Sequence, residues 1–124
     1  MSRVLLVEDE ELNRVLVRAI LARAADGPVR DVDLVEAGTL AAARGALAEG
    51  PVDVILLDVN LPDGNGLTLA ADLSAVPDRP QVIALTASVL PHERAAAMNA
   101  GCDAFLDKPY AAKDLLNVLA SHLP

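Results

Sequence analysis

The chain has 124 residues and a formal net charge of −8, and 53% of its residues are hydrophobic. This length fits one domain with a single packed core, and the hydrophobic content is too high for a disordered chain. The acidic balance argues against binding to nucleic-acid phosphates, which requires clustered Lys and Arg, but it suits binding of a cation. Since no apolar run approaches the roughly 18 residues of a membrane span, we expect a soluble, cytoplasmic protein without membrane contact.

Five strand patterns alternate with five helix patterns along the chain. The strand patterns cover residues 3–7, 32–35, 54–57, 81–85 and 104–106. The helix patterns cover residues 12–23, 40–49, 67–73, 91–100 and 114–123. Such an alternation predicts an α/β fold in which a parallel sheet carries helices on both faces.

Local signals set the helix ends. Thr39 is expected to cap the second helix, and Pro91 suits the first turn of the fourth. The sequence Asp26-Gly27-Pro28 is expected to break the chain after the first helix. That first helix is predicted to have one apolar face, formed by Leu12, Val15, Leu16, Ala19, Ile20 and Arg23.

Polar side chains stand where four of the predicted strands end. Glu8 and Asp9 follow the first strand, Asp58 follows the third, Thr86 the fourth and Lys108 the fifth. Because the carboxyl ends of parallel strands lie along one edge of a sheet, we expect these groups to converge. Clustered carboxylates need a counter-charge at neutral pH, and Mg²⁺ with oxygen ligands supplies one. Together the groups predict a phosphoryl-transfer site with Asp58 as the nucleophile.

These residues, with their flanking residues and spacing, resemble the receiver domain of two-component response regulators, the family that includes the chemotaxis regulator. The resemblance covers residues 1–124 as one receiver domain. It implies a flavodoxin-like, doubly wound, five-stranded parallel sheet of order 2-1-3-4-5 with five helices. The matching segments, in order, are Val7-Glu8-Asp9, Leu57-Asp58 with Leu61-Pro62 and Gly66, Thr86-Ala87, and Lys108-Pro109.

The resemblance also implies roles for the site residues. Asp58 would accept a phosphoryl group from the phosphohistidine of a histidine kinase or histidine phosphotransferase. The Mg²⁺ ligands would be Asp9 and Asp58 directly, Asn60 through its backbone carbonyl, and Glu8 through water. Lys108 would neutralise the phosphoryl oxygens.

A switch is implied as well. Thr86 would hydrogen-bond to a phosphoryl oxygen, and Phe105 occupies the position of the family's switch aromatic residue. Because residue 105 is Phe, a switch that uses a phenolic hydroxyl is excluded, and only packing of the ring can report phosphorylation. The responding surface, which would bind a downstream protein, consists of the fourth helix, fifth strand and fifth helix.

Two alternatives share part of this pattern. Phosphatases of the haloacid-dehalogenase type combine an Asp nucleophile with Thr, Lys and Mg²⁺, but they carry a second Asp where this chain has Asn60. Turnover of p-nitrophenyl phosphate would favour that alternative. A flavodoxin-like ligand-binding module would instead retain a ligand and take up no phosphoryl group. We expect a phosphoacceptor signalling domain rather than an enzyme.

Overall fold

A computed structural model describes residues 2–24, 29–87 and 91–123 of the chain. Five of its strands form one sheet in the order β2-β1-β3-β4-β5, in which all neighbouring strands run parallel. This arrangement confirms the expected doubly wound sheet and its strand order. The strands are β1 (Arg3–Val7), β2 (Asp33–Ala37), β3 (Val54–Asp58), β4 (Gln81–Thr86) and β5 (Ala104–Asp107).

In the described residues, four helices connect successive strands and a fifth follows β5. They are α1 (Glu11–Ala22), α2 (Leu40–Glu49), α3 (Leu67–Leu73), α4 (Pro91–Asn99) and α5 (Ala112–His122). Thr39 caps α2 as expected, since its hydroxyl accepts a hydrogen bond from the N–H of Ala42 at 3.0 Å. The break expected at residues 26–28 lies outside the described residues. No helix in the described ranges is both long enough and apolar enough to cross a bilayer.

Successive residues of a strand point to opposite faces of the sheet, and helices cover both faces, so the apolar side chains on each face are buried. The central strand β3 is buried along its whole length. On one face the sheet packs against α2, α3 and α4, and the buried residues there include Leu5, Val7, Ile55, Leu57, Leu40, Leu69 and Ala97. On the other face it packs against α1 and α5, and the buried residues include Val4, Leu6, Leu56, Val17, Leu115 and Leu119.

The prediction of which residues form the buried apolar face of α1 is wrong. The helix buries Val17 and Ile20, and only Ile20 belongs to the predicted face. Leu12, Val15 and Leu16 are exposed, with 79%, 43% and 48% of their surface accessible. These three residues, which we call the apolar strip, therefore lie on the surface of α1.

A polar contact lies on the same face of α1 as the buried residues Val17 and Ile20. The side-chain amide of Asn13 donates a hydrogen bond of 2.9 Å to Oε1 of Glu8, at the end of β1. Val17 lies one turn after Asn13 and Ile20 one turn after Val17, and both pack into the core on this side of the sheet. The hydrophobic pattern alone could not reveal this because apolar residues occur on two faces of α1.

Candidate functional site

The adjacent strands β1 and β3 bring three carboxylates together. Val7 and Leu57 are partners in the parallel register, so the residues that follow them lie at the same edge of the sheet. One carboxylate oxygen from each of Glu8, Asp9 and Asp58 lies within 4.8 Å of the others. The structure therefore assembles at one edge the acids that the sequence places 50 residues apart.

Lys108 reaches this cluster from the end of β5. Its backbone N–H donates to the carbonyl of Thr86 at 2.8 Å, which fixes the start of the loop after the strand. Its ammonium nitrogen lies 2.7 Å from Oε1 of Glu8 and 3.2 Å from Oδ2 of Asp58. One positive charge thus offsets the repulsion between two buried carboxylates.

Asp58 is almost fully enclosed, with 6% of its surface accessible. Its Oδ1 accepts a hydrogen bond from the N–H of Asn60 at 3.1 Å. Burial and the neighbouring carboxyl of Glu8 raise the pKa of Asp58 to about 6, although the N–H of Asn60 and the charge of Lys108 act to lower it. Of the two buried carboxyls, Asp58 is consequently the one that takes up a proton first as the pH falls.

Glu8 is completely buried, and its two oxygens differ in their surroundings. Oε1 accepts hydrogen bonds from Lys108 and Asn13, whereas Oε2 has no partner within the described part of the chain. Burial acts to raise the pKa of Glu8, but the adjoining carboxyl of Asp58 and the ammonium of Lys108 outweigh it and hold the pKa at about 2. Glu8 is therefore a buried carboxylate that is charged at neutral pH and has one oxygen open to a ligand.

The donor set suits a hard divalent cation. Glu8, Asp9 and Asp58 offer only oxygen atoms, and carboxylate oxygens are ligands that Mg²⁺ accepts. Asp9 is exposed, so the cluster is reached from solvent. The open Oε2 of Glu8 is a buried anionic atom that a cation, or a water molecule held by a cation, would satisfy.

The loop after β3 closes tightly against Asp58. Within it Asn60–Leu61 pairs antiparallel with Gly64–Asn65, and the N–H of Gly66 donates to the carbonyl of Val59 at 2.7 Å. A Cβ atom on Gly66 would lie 2.1 Å from the carbonyl oxygen of Asp58. Glycine at position 66 is therefore required for this close approach of the two backbone segments.

The same loop is tied to α2 by Asp63. Its Oδ1 accepts the N–H of Leu40 at 2.8 Å, and its Oδ2 accepts the N–H of Ala41 at 3.1 Å. These hydrogen bonds from Leu40 and then Ala41 lower the pKa of Asp63. The loop that carries Asn60 is thus fixed at one end by Asp58 and in its middle by the first turn of α2.

Thr86 and Phe105 lie at a separate cavity beside the acid cluster. The cavity has a volume of about 300 Å³, and its lining includes Thr86, Phe105 and Asn60. The guanidinium carbon of Arg94, on α4, lies 4.5 Å from the centroid of the Phe105 ring. Arg94 also forms a salt bridge with Asp107 at the end of β5. One side chain of α4 therefore contacts both the aromatic ring and the last residue of β5.

Sequence reasoning did not identify Arg14, Asp63 or Arg94. Each is a charged residue on a helix or in a turn, and in the sequence it is indistinguishable from a solvated surface charge. Its importance depends on a partner in another element: a strand-end carbonyl for Arg14, a helix terminus for Asp63 and an aromatic ring for Arg94. No spacing rule links such partners.

Known proteins of two-component signalling resemble this chain. Residues 4–120 match the response regulator receiver domain. The two-component response regulator ORR41 of Oryza sativa is 38% identical over 120 residues, which cover 97% of this chain and 93% of that protein. The aerobic respiration control sensor protein ArcB of Escherichia coli is 37% identical over 115 residues, which cover 90% of this chain but only 14% of ArcB.

A solved structure with a bound metal is also similar. It is the receiver domain of the sensor histidine kinase PA1611 from Pseudomonas aeruginosa, in which a magnesium ion is coordinated in the active site cleft. The two chains are 26% identical, and the TM-score is 0.81. The match covers 98% of this chain and 96% of that domain.

Proposed function

This chain belongs to the response regulator receiver domain family, and from that premise we propose that Asp58 is its phosphoacceptor. The chain acts in two-component signal transduction, and the phosphoryl group comes from a phosphohistidine on a histidine kinase or histidine phosphotransferase. The observation that carries the proposal is the enclosed carboxylate of Asp58. It lies 3.2 Å from the ammonium of Lys108 and beside two further acids.

Mg²⁺ is the cofactor in this proposal. Asp9 and Asp58 would bind it directly, Asn60 would bind it through its backbone carbonyl, and Glu8 would act through water. The open Oε2 of Glu8 and the magnesium ion held by the PA1611 receiver domain support this assignment. When bound, the cation neutralises charge on the clustered carboxylates and on the phosphoryl oxygens.

The transfer itself needs an ionised Asp58. A carboxylate oxygen of Asp58 attacks phosphorus in line, and a P–O bond forms as the P–N bond to the donor imidazole breaks. The electron pair of that bond stays on the ring nitrogen, which takes a proton from solvent. Lys108, already within hydrogen-bond distance of Asp58, then donates to a phosphoryl oxygen and offsets its charge.

The signal leaves the site through Thr86 and Phe105. The hydroxyl of Thr86 hydrogen-bonds to the new phosphoryl group, and the Phe105 ring turns toward the space that Thr86 vacates. Because Arg94 contacts both this ring and Asp107, rotation of the ring changes how α4 lies against β5. The surface formed by α4, β5 and α5 then binds a downstream protein with altered affinity.

The apolar strip of α1 suits the protein that donates the phosphoryl group. Leu16, from the strip, lines one groove together with Lys108, Pro109 and Tyr110. Because the ammonium of Lys108 contacts Asp58, a protein that covers this strip is brought directly beside the phosphoacceptor. Exposed leucine and valine side chains next to a reactive group favour docking of an apolar partner surface there.

Phosphorylation by a small donor tests the proposal. Incubation with Mg²⁺ and acetyl phosphate should add one phosphoryl group, detected by intact-protein mass spectrometry, and Asp58→Asn should remain unmodified. Asp72→Asn is the matched control, because Asp72 is an exposed acid that pairs with Arg44 at 2.7 Å, away from the cluster. Uptake by Asp58→Asn, or no uptake by the wild type, would overturn the assignment.

Residues 1–124 form a single receiver domain that works in the cytoplasm. It is a signalling domain that assists its own phosphorylation and dephosphorylation rather than an enzyme acting on an external substrate. The net charge of −8 supports the view that it contacts proteins and not nucleic acid.

A further inference from the structure

Arg14 contacts the backbone of the acid pair from the first turns of α1. Its Nη1 donates to the carbonyl of Glu8 at 2.7 Å and to the carbonyl of Asp9 at 3.0 Å. A charged donor forms stronger hydrogen bonds with carbonyl oxygens than a neutral one does. Arg14 therefore holds the main chain at the two positions whose side chains form part of the acid cluster.

The strand β2 holds Arg14 in turn. Nε of Arg14 lies 3.7 Å from Oε1 of Glu36, and Arg18, one turn further along α1, forms two hydrogen bonds of 3.0 Å with the same carboxylate. The side chain is thus fixed on one side by Glu36 and on the other by the two carbonyls.

Arg14 and Lys108 contribute positive charge to the cluster in different ways. Lys108 donates directly to carboxylate oxygens of Glu8 and Asp58, so it occupies atoms that a cation needs. Arg14 bonds only to main-chain carbonyls of the acid pair in the described structure, so it leaves their carboxylate oxygens open. Its contact orients the ligands without competing for them.

We propose that Arg14 is a positioning residue for the metal centre, which fixes the backbone of Glu8 and Asp9 so that their carboxylates meet the cation. The inference rests on the proposed function, since it concerns the same Mg²⁺ site. Residues that orient metal ligands typically change metal affinity about 10- to 100-fold when they are removed. Loss of Arg14 should therefore weaken Mg²⁺ binding by about tenfold or more.

The direction in which the Mg²⁺ affinity changes distinguishes a positioning role of Arg14 from a purely electrostatic one. If Arg14 acted only as a nearby cation, its removal would make the site more negative and strengthen Mg²⁺ binding. If it positions the acids, its removal weakens binding in spite of that electrostatic gain. Arg18→Met is the matched control, because it removes the same charge from the same helix and leaves both carbonyl contacts intact.

The experiment is a calorimetric Mg²⁺ titration of four proteins: wild type, Arg14→Met, Arg14→Lys and Arg18→Met. We expect weaker binding for Arg14→Met, partial recovery for Arg14→Lys and unchanged or slightly tighter binding for Arg18→Met. Circular dichroism and urea unfolding check that each variant is folded. The inference is overturned if Arg14→Met binds Mg²⁺ as well as the wild type, or if Arg18→Met loses as much affinity.

Phosphorylation by acetyl phosphate supplies a second readout. At low Mg²⁺ Arg14→Met should react more slowly than the wild type, and saturating Mg²⁺ should restore its rate, because only the position of the ligands has changed. A rate that stays low at saturating Mg²⁺ contradicts a positioning role. A wild type that neither binds Mg²⁺ nor takes up phosphoryl refutes the proposed function itself, whereas a normal wild type with a normal Arg14→Met refutes only this inference.

Discussion

The ammonium nitrogen of Lys108 lies 2.7 Å from Oε1 of Glu8, a residue 100 positions earlier in the chain. This ion pair joins the end of β5 to the end of β1 across the two strands between them, and 20% of the lysine side chain and 1% of the glutamate side chain are accessible. Because Lys108 also contacts Asp58, its ammonium offsets the charge of two buried carboxylates at once.

Removal of Lys108 should therefore destabilise the metal-free protein. Lys108→Ala leaves the buried carboxylates of Glu8 and Asp58 without a counter-charge, and we expect a loss of about 2–3 kcal/mol in the free energy of unfolding at neutral pH. Added Mg²⁺ should recover more stability in this variant than in the wild type, since it replaces the missing charge. Urea unfolding with Mg²⁺ or with a chelator measures both quantities.

The control for that prediction is Lys113→Ala, which removes an exposed lysine from α5. It should change the free energy of unfolding by less than about 0.5 kcal/mol, with no dependence on Mg²⁺. An equal loss of unfolding free energy in both lysine variants would show that the contacts of Lys108 with Glu8 and Asp58 do not stabilise the protein.

Binding of Mg²⁺ should depend on pH through Asp58. Its pKa of about 6 in the metal-free protein means that protons compete with the cation below that pH. We expect the apparent affinity for Mg²⁺ to fall by about tenfold per pH unit below pH 6 and to be flat above about pH 7. Calorimetric titrations across this range measure it, and an affinity independent of pH between 5 and 7 would be inconsistent with a protonated Asp58.

The stability of the metal-free protein should respond to pH in the opposite sense. The pKa of Asp58 rises from an ordinary value of 3.8 to about 6 on folding, so the folded protein keeps a proton that the unfolded chain has released. The stability contributed by Asp58 is therefore complete below about pH 4 and lost as the pH rises through 6. Asp58→Asn does not titrate, and its stability relative to the wild type should increase by about 1 kcal/mol between pH 5 and pH 7.5.

Urea unfolding in the presence of a chelator tests this prediction. The comparison stays above pH 5 because Glu8, whose pKa falls from 4.5 to about 2, acts with the opposite sign at lower pH. Asp72→Asn serves as the reference, since it replaces an exposed acid that pairs with Arg44 and takes no part in the acid cluster. A parallel pH profile for Asp58→Asn and the wild type would contradict the raised pKa.

Substitution by alanine should have opposite effects on the free energy of unfolding at two glycines. Gly66→Ala places a Cβ atom 2.1 Å from the carbonyl oxygen of Asp58, so the loop after β3 must move, at a cost of at least about 2 kcal/mol in the free energy of unfolding. Gly45→Ala, in the middle of α2, meets no atom within 4 Å and should stabilise the protein by about 0.5–1 kcal/mol. Urea unfolding measures both, and a stabilising Gly66→Ala would show that the loop closes less tightly than described.

The apolar strip should affect phosphoryl transfer from a phosphohistidine protein but not from a small molecule such as acetyl phosphate. Leu16→Glu adds a charge to the groove shared with Lys108 and should reduce kcat/KM for transfer from a phosphohistidine protein by about tenfold or more. The rate with acetyl phosphate should be unchanged, because Asp58 and its contacts remain. Val76→Glu, at another exposed apolar position, is the control and should leave both rates unchanged.

The sequence was sufficient for the architecture. Runs of four apolar residues in β1, β3 and β4, each followed by a helical pattern, favour a parallel sheet that is buried on both faces. The strand order expected from the family resemblance is the one observed. The sequence also indicated which polar residues lie at one edge, because the carboxyl ends of parallel strands coincide. The roles assigned to those residues stay predictions until the phosphorylation and Mg²⁺ experiments are done.

Only the tertiary structure decided the rotation of α1 and the contacts that support the cluster. Hydrophobic periodicity could not choose between two apolar faces of α1, and the structure buries the face that carries Val17 and Ile20. Likewise Arg14 and Asp63 acquire their contacts from backbone groups of other elements, at Glu8 and Leu40. Such contacts depend on the position of a backbone carbonyl or N–H after folding. Nearly every residue carries the same backbone groups, so the sequence does not indicate which of them a side chain will contact.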